Sequence, residues 1–283
     1  MNEEQYVLFM AGFPRAGTTL LMNILAQNPK FYPSPTSGLI ANIINTRDNW
    51  RQNDIFRSNP EEYIYPKIKN MLKYMILGFY YDQIEQGLLP IEKNRMWTGH
   101  VDLLDQLFGF KTKILFPIRS VTDCCISMER MNRLGAVNNH GDNGNWVKEQ
   151  TTRGRIENFL KDDGVFGLPI LYFRELVYRN ELDRLVIIPY NDLLNYPKQT
   201  LERIHNELKL PQFQYDFENI KQVITEYDTS HGFAPNTLHK IKEGKILPPN
   251  PRDTSLMVSE DIKYLDDKYQ DIDSIIRKYS ISP

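Results

Sequence analysis

Three positions in the chain pair a cationic or proton-accepting side chain with the expected end of a strand: Arg15, His100 and Arg119. Arg15 lies inside Gly12-Phe13-Pro14-Arg15-Ala16-Gly17-Thr18-Thr19, where the glycines have P-loop spacing: Gly12, four residues, then Gly17. The apolar run Tyr6–Ala11 before it reads as a buried strand, and Leu20, Leu21, Ile24 and Leu25 after it follow a helical period. A strand, a glycine-bounded loop and a helix start make an anion site. Backbone N–H groups unpaired at the helix N-terminus point at the ligand, and the helix dipole favours negative charge. A nucleotide triphosphatase carries Lys and then Ser or Thr after the second glycine. This chain carries Thr18 and Thr19, and its cation stands within the loop at Arg15. Such a loop cradles a phosphate without the lysine that reaches the β- and γ-phosphates of ATP.

A second anion seat is expected at Arg119. Lys113–Ile118 (KILFPI) is a clear buried strand, and Arg119 falls at its end. Ser120 with Asp123 resembles a capping box opening a helix to about Leu134. Ser120, Cys124 and Ser127 share one face of that helix, so Arg119 and Ser127 are placed to grip one phosphate from two sides. Arg130 extends the same face by a turn. A guanidinium fork matches phosphate oxygens well. The alternative for any single arginine is a surface residue in an ion pair.

The elements that would hold these groups alternate between short apolar strands and helices. Phe31–Ser37 is extended by its two prolines. Helices are expected at Gly38–Thr46, from about Glu61 to Gln86 after Pro60, and at Val101–Phe108, with a strand at Asn94–Gly99 ahead of His100. Ala136–Asn145 is a polar Asn/Gly loop containing His140. Helices follow at Trp146–Lys161 and Pro169–Asn180, then the strand Leu185–Pro189 and a helix at Pro197–Leu208. A helix near Phe217–Glu226 and a final one at Ser259–Tyr279 complete the chain. This order predicts an α/β fold, a parallel sheet covered by helices on both faces. Ligands of such sheets sit at the carboxyl ends of the strands. No linker interrupts the pattern, so residues 1–283 read as one domain.

Composition narrows the classes. The 283 residues are 41% apolar and 25% charged, with a net charge of −2 and a pI of about 6.2, which leaves no electrostatic footprint for nucleic acid. The most apolar window, Met71–Tyr81, is interrupted by Lys73 and followed by Asp82 and Glu85, too short and too charged to span a bilayer. Met1-Asn2-Glu3-Glu4 leads straight into the first strand with no leader pattern. Cys124 and Cys125 are adjacent in a helix, which excludes a disulfide framework and fits a reducing, cytoplasmic compartment. The five histidines are scattered without HxH or HExxH spacing, so no metal site is expected.

With these stretches together, the chain resembles the sulfotransferases that use 3′-phosphoadenylyl sulfate (PAPS). GFPRAGTTLL (Gly12–Leu21) is similar to their 5′-phosphosulfate loop, in the form nearest the tyrosylprotein and carbohydrate branches. FPIRSVTDCCIS (Phe116–Ser127) is similar to their 3′-phosphate motif, an arginine and a serine eight positions apart. IIPYNDLLNYP (Ile187–Pro197) is similar to the Tyr-x-Asp-Leu…Pro segment whose tyrosine contacts the nucleotide. The matches occur in family order and the resemblance spans roughly Tyr6–Leu210.

The resemblance implies a PAPS donor and a bisphosphate product, PAP, with no metal. Arg15, Ala16, Gly17, Thr18 and Thr19 would hold the 5′ end, Arg119 and Ser127 the 3′-phosphate, and Tyr190 the nucleotide. Lys240 and Lys242 resemble the basic C-terminal residues that close over the 3′-phosphate; solvated surface lysines are the alternative. Arg15 would meet the charge of the leaving oxygen, as positioning and electrostatics do in phosphoryl transfer. The glutamate base of tyrosylprotein sulfotransferases is absent, since Pro35, Thr36 and Ser37 stand there. His100, in TGHVDLL, resembles the histidine base of cytosolic members, with Asp102 as a fallback and a capping or packed histidine as the alternative. The acceptor, a carbohydrate, a peptide tyrosine or a small hydroxylated molecule, has no readable code. Two rivals remain: a P-loop kinase-like protein, and a nucleotide-binding module without catalysis.

Overall fold

The computed structural model describes residues 6–135 and 151–281. Its five strands are β1 (Leu8–Met10), β2 (Phe31–Thr36), β3 (Leu89–Lys93), β4 (Ile114–Ile118) and β5 (Leu185–Pro189). They form one sheet in the order β2-β3-β1-β4-β5, parallel at every pairing. In register, Leu8 faces Ile91, Met10 faces both Lys93 and Leu115, and Ile118 faces Pro189. This is the expected α/β architecture.

The helices are α1 (Thr18–Leu25), α2 (Leu39–Gln52), α3 (Asp54–Arg57), α4 (Glu61–Phe79), α5 (Tyr81–Glu85), α6 (Val101–Phe108) and α7 (Val121–Gly135). After the segment outside the described residues come α8 (Thr152–Phe159), α9 (Gly167–Tyr178), α10 (Tyr190–Asn195), α11 (Pro197–Glu207), α12 (Ser259–Lys268) and α13 (Gln270–Tyr279). Alternate residues of a strand point to opposite faces. Leu8, Met10, Leu115, Val186 and Ile188 therefore pack under α1 and α11, beside Leu21, Leu25, Leu201 and Ile204. Phe9, Phe116 and Ile187 meet Trp97, Leu104, Cys124 and Phe173 on the other face. Strands buried on both faces read as continuous apolar runs, which is why β1, β4 and β5 fall where the sequence placed them. Among the described residues no helix is long and apolar enough to cross a membrane.

Four expected elements differ, one of them the helix from Glu61 to Gln86, which breaks at the buried Tyr80 into α4 and α5. The strand expected at Asn94–Gly99 lies earlier, at Leu89–Lys93, and Arg95–His100 is a 3₁₀ turn. Two charged residues disguised it: Glu92 and Lys93 are both buried, each with side-chain partners. Glu92 accepts from Trp97 Nε1 at 3.2 Å and also meets Ser37 and Tyr80, while Lys93 pairs with Glu226. No helix forms over Phe217–Glu226. The amides of Val223 and Ile224 donate instead to Asn23 Oδ1 at 2.6 and 2.9 Å, and Ile220 bridges antiparallel to Gly244. The C-terminal helix is broken at the buried Tyr269 into α12 and α13. The loop Ala136–Asn145 with His140, and Trp146 in the following expected helix, lie outside the described residues.

The helix that carries Ser127 is anchored by a buried carboxylate. Glu129 has a fully buried side chain and takes hydrogen bonds from Arg133 at 2.8 Å, Arg155 at 2.8 Å and Thr152 at 3.1 Å. Burial alone would raise its pKa, but Arg155 and Arg133 outweigh that and hold it below the ordinary glutamate value. A depressed native pKa stabilises the fold above the unfolded value and is lost as the pH falls through the native one. Glu129→Ala removes the buried carboxylate that Arg155 and Arg133 share, and is expected to lower unfolding free energy by about 3 kcal/mol at neutral pH. Urea denaturation across a pH series should show the difference between variant and wild type shrinking in acid.

Candidate active site

The loop after β1 is built from left-handed backbone. Gly12 has φ +137° and lies so near β4 that a Cβ there would stand 2.6 Å from the Pro117 carbonyl oxygen. Arg15 has φ +66°, and Gly17, at φ +89°, caps α1 against the ring of Tyr190. Thr18, Thr19 and Leu20 occupy the first turn of α1, where amides have no carbonyl partner within the helix. Ala16 differs from its neighbours. It is fully buried and its amide donates to the Phe13 carbonyl at 3.1 Å, so it shapes the loop without facing the cavity.

The fold then brings the distant anion seat against this loop. Arg15 Nε donates to Ser127 Oγ at 3.2 Å, and another of its nitrogens donates to the Leu238 carbonyl. The Arg119 guanidinium sits 4.5 Å from the centre of the Tyr190 ring. Its buried Nε makes no hydrogen bond, and the nearest carboxylate oxygen, on Asp123, is 3.9 Å away. Ser127 thus meets Arg15 rather than Arg119, while Arg130 turns outward to Asp253 at 2.9 Å. Burial is the main cause that pulls the Arg15 pKa down, and the charge of Arg119 adds to it. Two neighbouring cations, one half-buried without an ion pair among the described residues and one with an unmet buried donor, form adjacent seats for anionic groups.

These groups line a cavity of about 660 Å³ at the carboxyl ends of the strands. Its wall includes Arg15, Gly17, Thr18, Thr19, Arg119, Ser127 and Tyr190 from the expected set, together with Gly12. Lys240, Lys242 and Lys245 stand exposed on the rim, the last paired with Glu218 at 3.0 Å. Met96, Phe159, Val165, Phe233 and Leu247 supply apolar surface.

His100 lies elsewhere. Its Nδ1 is 2.9 Å from the Met96 carbonyl, its ring stands edge-on to Tyr172, and it is not among the residues lining the cavity. Burial chiefly lowers its pKa, and the charges near it belong to Arg47 and Asp48. Asp102 forks to Arg179 at 2.8 Å. The cavity instead receives Lys93, Asn94 and His239, none of them singled out in the sequence. Lys93 becomes legible once β3 is known to end there, because strand ends are where ligands sit. His239 carries no local signal, since the carboxylates that hold it, Glu226 and Asp228, come from an irregular stretch.

Residues 8–215 match the sequence model of the sulfotransferase family, well over half of the chain. The chain belongs to the sulfotransferase family. No curated protein matches it by sequence. Among solved structures, the sulfotransferase domain from the curacin biosynthetic pathway is 15% identical with a TM-score of 0.51, over 95% of this chain and 99% of that one. A sulfotransferase from Alicyclobacillus acidocaldarius is 12% identical with a TM-score of 0.48, over 96% and 95% of the two chains. At such identities the first likeness shows the fold and the second carries no further weight.

In this sulfotransferase the glycine that opens α1 has no room for a side chain. A Cβ on Gly17 would meet the Tyr190 ring at 2.8 Å, in a backbone conformation that side chains rarely adopt. Gly17→Ala is expected to cost about 1–3 kcal/mol in strain and to push Tyr190 off Arg119. The melting temperature should fall, and inorganic sulfate or phosphate, expected to raise that of the wild type, should raise the variant's much less. A variant with both unchanged would contradict this account of the loop.

Proposed function

We propose that this sulfotransferase takes its sulfuryl group from PAPS and passes it to a hydroxyl, or less readily an amine, of an acceptor. The observation that carries the reading is the pairing of two anion seats in one cavity: Arg15 beside the α1 amides, and Arg119 with its unmet Nε at the mouth of α7. A mononucleotide triphosphate presents one chain of phosphates; PAPS presents a phosphosulfate and a separate 3′-phosphate. The amides of Gly17, Thr18 and Thr19 with Arg15 suit the first, and Arg119 the second, to which Ser127 would donate its hydroxyl while accepting from Arg15. Tyr190 props Arg119 and offers its ring to the nucleotide, and Lys240 and Lys242 close the rim.

When bound, PAPS supplies a sulfuryl group attached to a bisphosphate leaving group. Arg15, held by neutral oxygens, meets the charge that develops on the departing oxygen. The apolar wall excludes water that would compete with the acceptor. Ala16 contributes through the shape of the loop. His100 is not carried into the mechanism, because it does not line the cavity. We read the described chain as one domain acting on a small hydroxylated molecule, a carbohydrate or a peptide tyrosine.

Titration calorimetry with PAP, AMP and ATP tests the donor. PAP is expected to bind most tightly, and ATP binding with no preference for the 3′-phosphorylated nucleotide would sink the reading in favour of a kinase-like protein. Arg119→Ala should weaken the preference for PAP over AMP by about 1.5–3 kcal/mol, the worth of a charge-assisted hydrogen bond. An equal loss for both nucleotides would remove Arg119 from the 3′-phosphate.

A further inference from the structure

The carbonyl that Arg15 holds belongs to Leu238, and the next residue, His239, lines the same cavity. One carboxylate sets the geometry of this corner. Asp228 is 1% exposed, and its Oδ2 accepts from the amides of Thr237 at 2.7 Å and Leu238 at 2.9 Å. Its other oxygen accepts from His239 Nδ1 at 2.7 Å. A carboxylate at that distance fixes the proton on Nδ1 and leaves a lone pair on Nε2. Nε2 stands 3.6 Å from Glu226, beyond hydrogen-bonding distance, and Glu226 is engaged by Lys93 at the end of β3.

We propose that His239 is the general base of the transfer and Asp228 its positioning residue. The proposal rests on the donor reading above. The acceptor O–H gives its proton to Nε2 while its oxygen forms the new bond to sulfur. The bond from sulfur to the bridging oxygen breaks, and that oxygen leaves on the bisphosphate with its charge facing Arg15. The imidazolium that results lies between Asp228 and Glu226, which stabilise it. The titratable and charged groups facing the ring are Asp228, Glu226, Lys93 and His231, whose ring centre is 5.7 Å away. Burial is the main cause that holds the His239 pKa below its ordinary value, which leaves the ring neutral and able to accept at neutral pH.

The test uses the full chain, with His239→Gln and Asp228→Asn. Nitrogen-15 NMR of the wild-type histidines reads the tautomer without any acceptor: the proton is expected on Nδ1, and a proton on Nε2 would overturn the proposal. Sulfuryl transfer from labelled PAPS is then compared for an aliphatic alcohol and for 4-nitrophenol, largely ionised in mildly alkaline buffer and in no need of a base. His239→Gln should bind PAP within about threefold of wild type and lose about 10²–10⁴-fold in transfer to the alcohol, with a much smaller loss to ionised 4-nitrophenol. Equal losses for both acceptors, or no loss with binding retained, would remove His239 as the base. Asp228→Asn should lower the His239 pKa by NMR and move the acidic limb of the rate profile to lower pH. An unmoved His239 pKa would remove Asp228 as its positioning residue. A wild type that shows no preference for PAP would instead refute the donor reading and leave the tautomer result standing.

Discussion

A half-buried guanidinium with no carboxylate partner among the described residues is the constraint around which this structure is arranged. Arg15 stands in left-handed backbone, which costs a non-glycine residue about 1–2 kcal/mol, and its head is held by a serine hydroxyl and a main-chain carbonyl. Neutral oxygens stabilise the charge without cancelling it. A carboxylate there would make a conventional ion pair, and an incoming anion would have to displace it. Keeping Arg15 charged but unneutralised near Arg119 leaves two like charges close together, a repulsion that an anion between them would relieve.

The oxygens that hold Arg15 come from far apart in the chain, so the loop depends on tertiary structure. Ser127 is supplied by α7, which Glu129 ties to Arg133 and Arg155. The Leu238 carbonyl is supplied by a segment with little regular structure, which α1 itself organises. Asn23 donates to the Thr19 carbonyl within α1 and accepts the amides of Val223 and Ile224. One helix therefore presents its first-turn amides at one end and, a turn further on, seats the chain that completes the cavity.

What the sequence revealed and what it hid follow from the same distinction. The loop around Arg15, the arginine after β4 and the tyrosine after β5 each sit at a strand–helix junction. Period, glycine spacing and apolar runs expose such junctions locally. β3 escaped because Glu92 and Lys93 look like surface residues until Tyr80, Trp97 and Glu226 are seen to pair with them. The residues 217–226 looked helical because nothing local shows that their amides would be taken by Asn23 and by Gly244. His100 stands in a motif-like segment, yet a 3₁₀ turn directs its Nδ1 to the Met96 carbonyl. His239 has no signal in the sequence, because the two carboxylates that give it meaning meet it only in three dimensions.

The cavity thus has two halves of different construction. The half holding Arg15, Arg119 and Tyr190 rests on junctions of a rigid sheet, whose strand ends cannot shift without disturbing both cores. The half holding Glu226, Asp228 and His239 rests on side-chain-to-backbone contacts in a loop, with Asp228 gathering the amides of Thr237 and Leu238. Lys93 joins them, since it ends β3 and pairs with Glu226 across the gap. Substitutions in the loop can reshape this half while β1 and β4 leave the other in place. The coupling is not complete, however, because Leu238 lies in that loop and its carbonyl holds Arg15. A change that moves the 237–239 turn will therefore be felt at the loop cation as well as at His239.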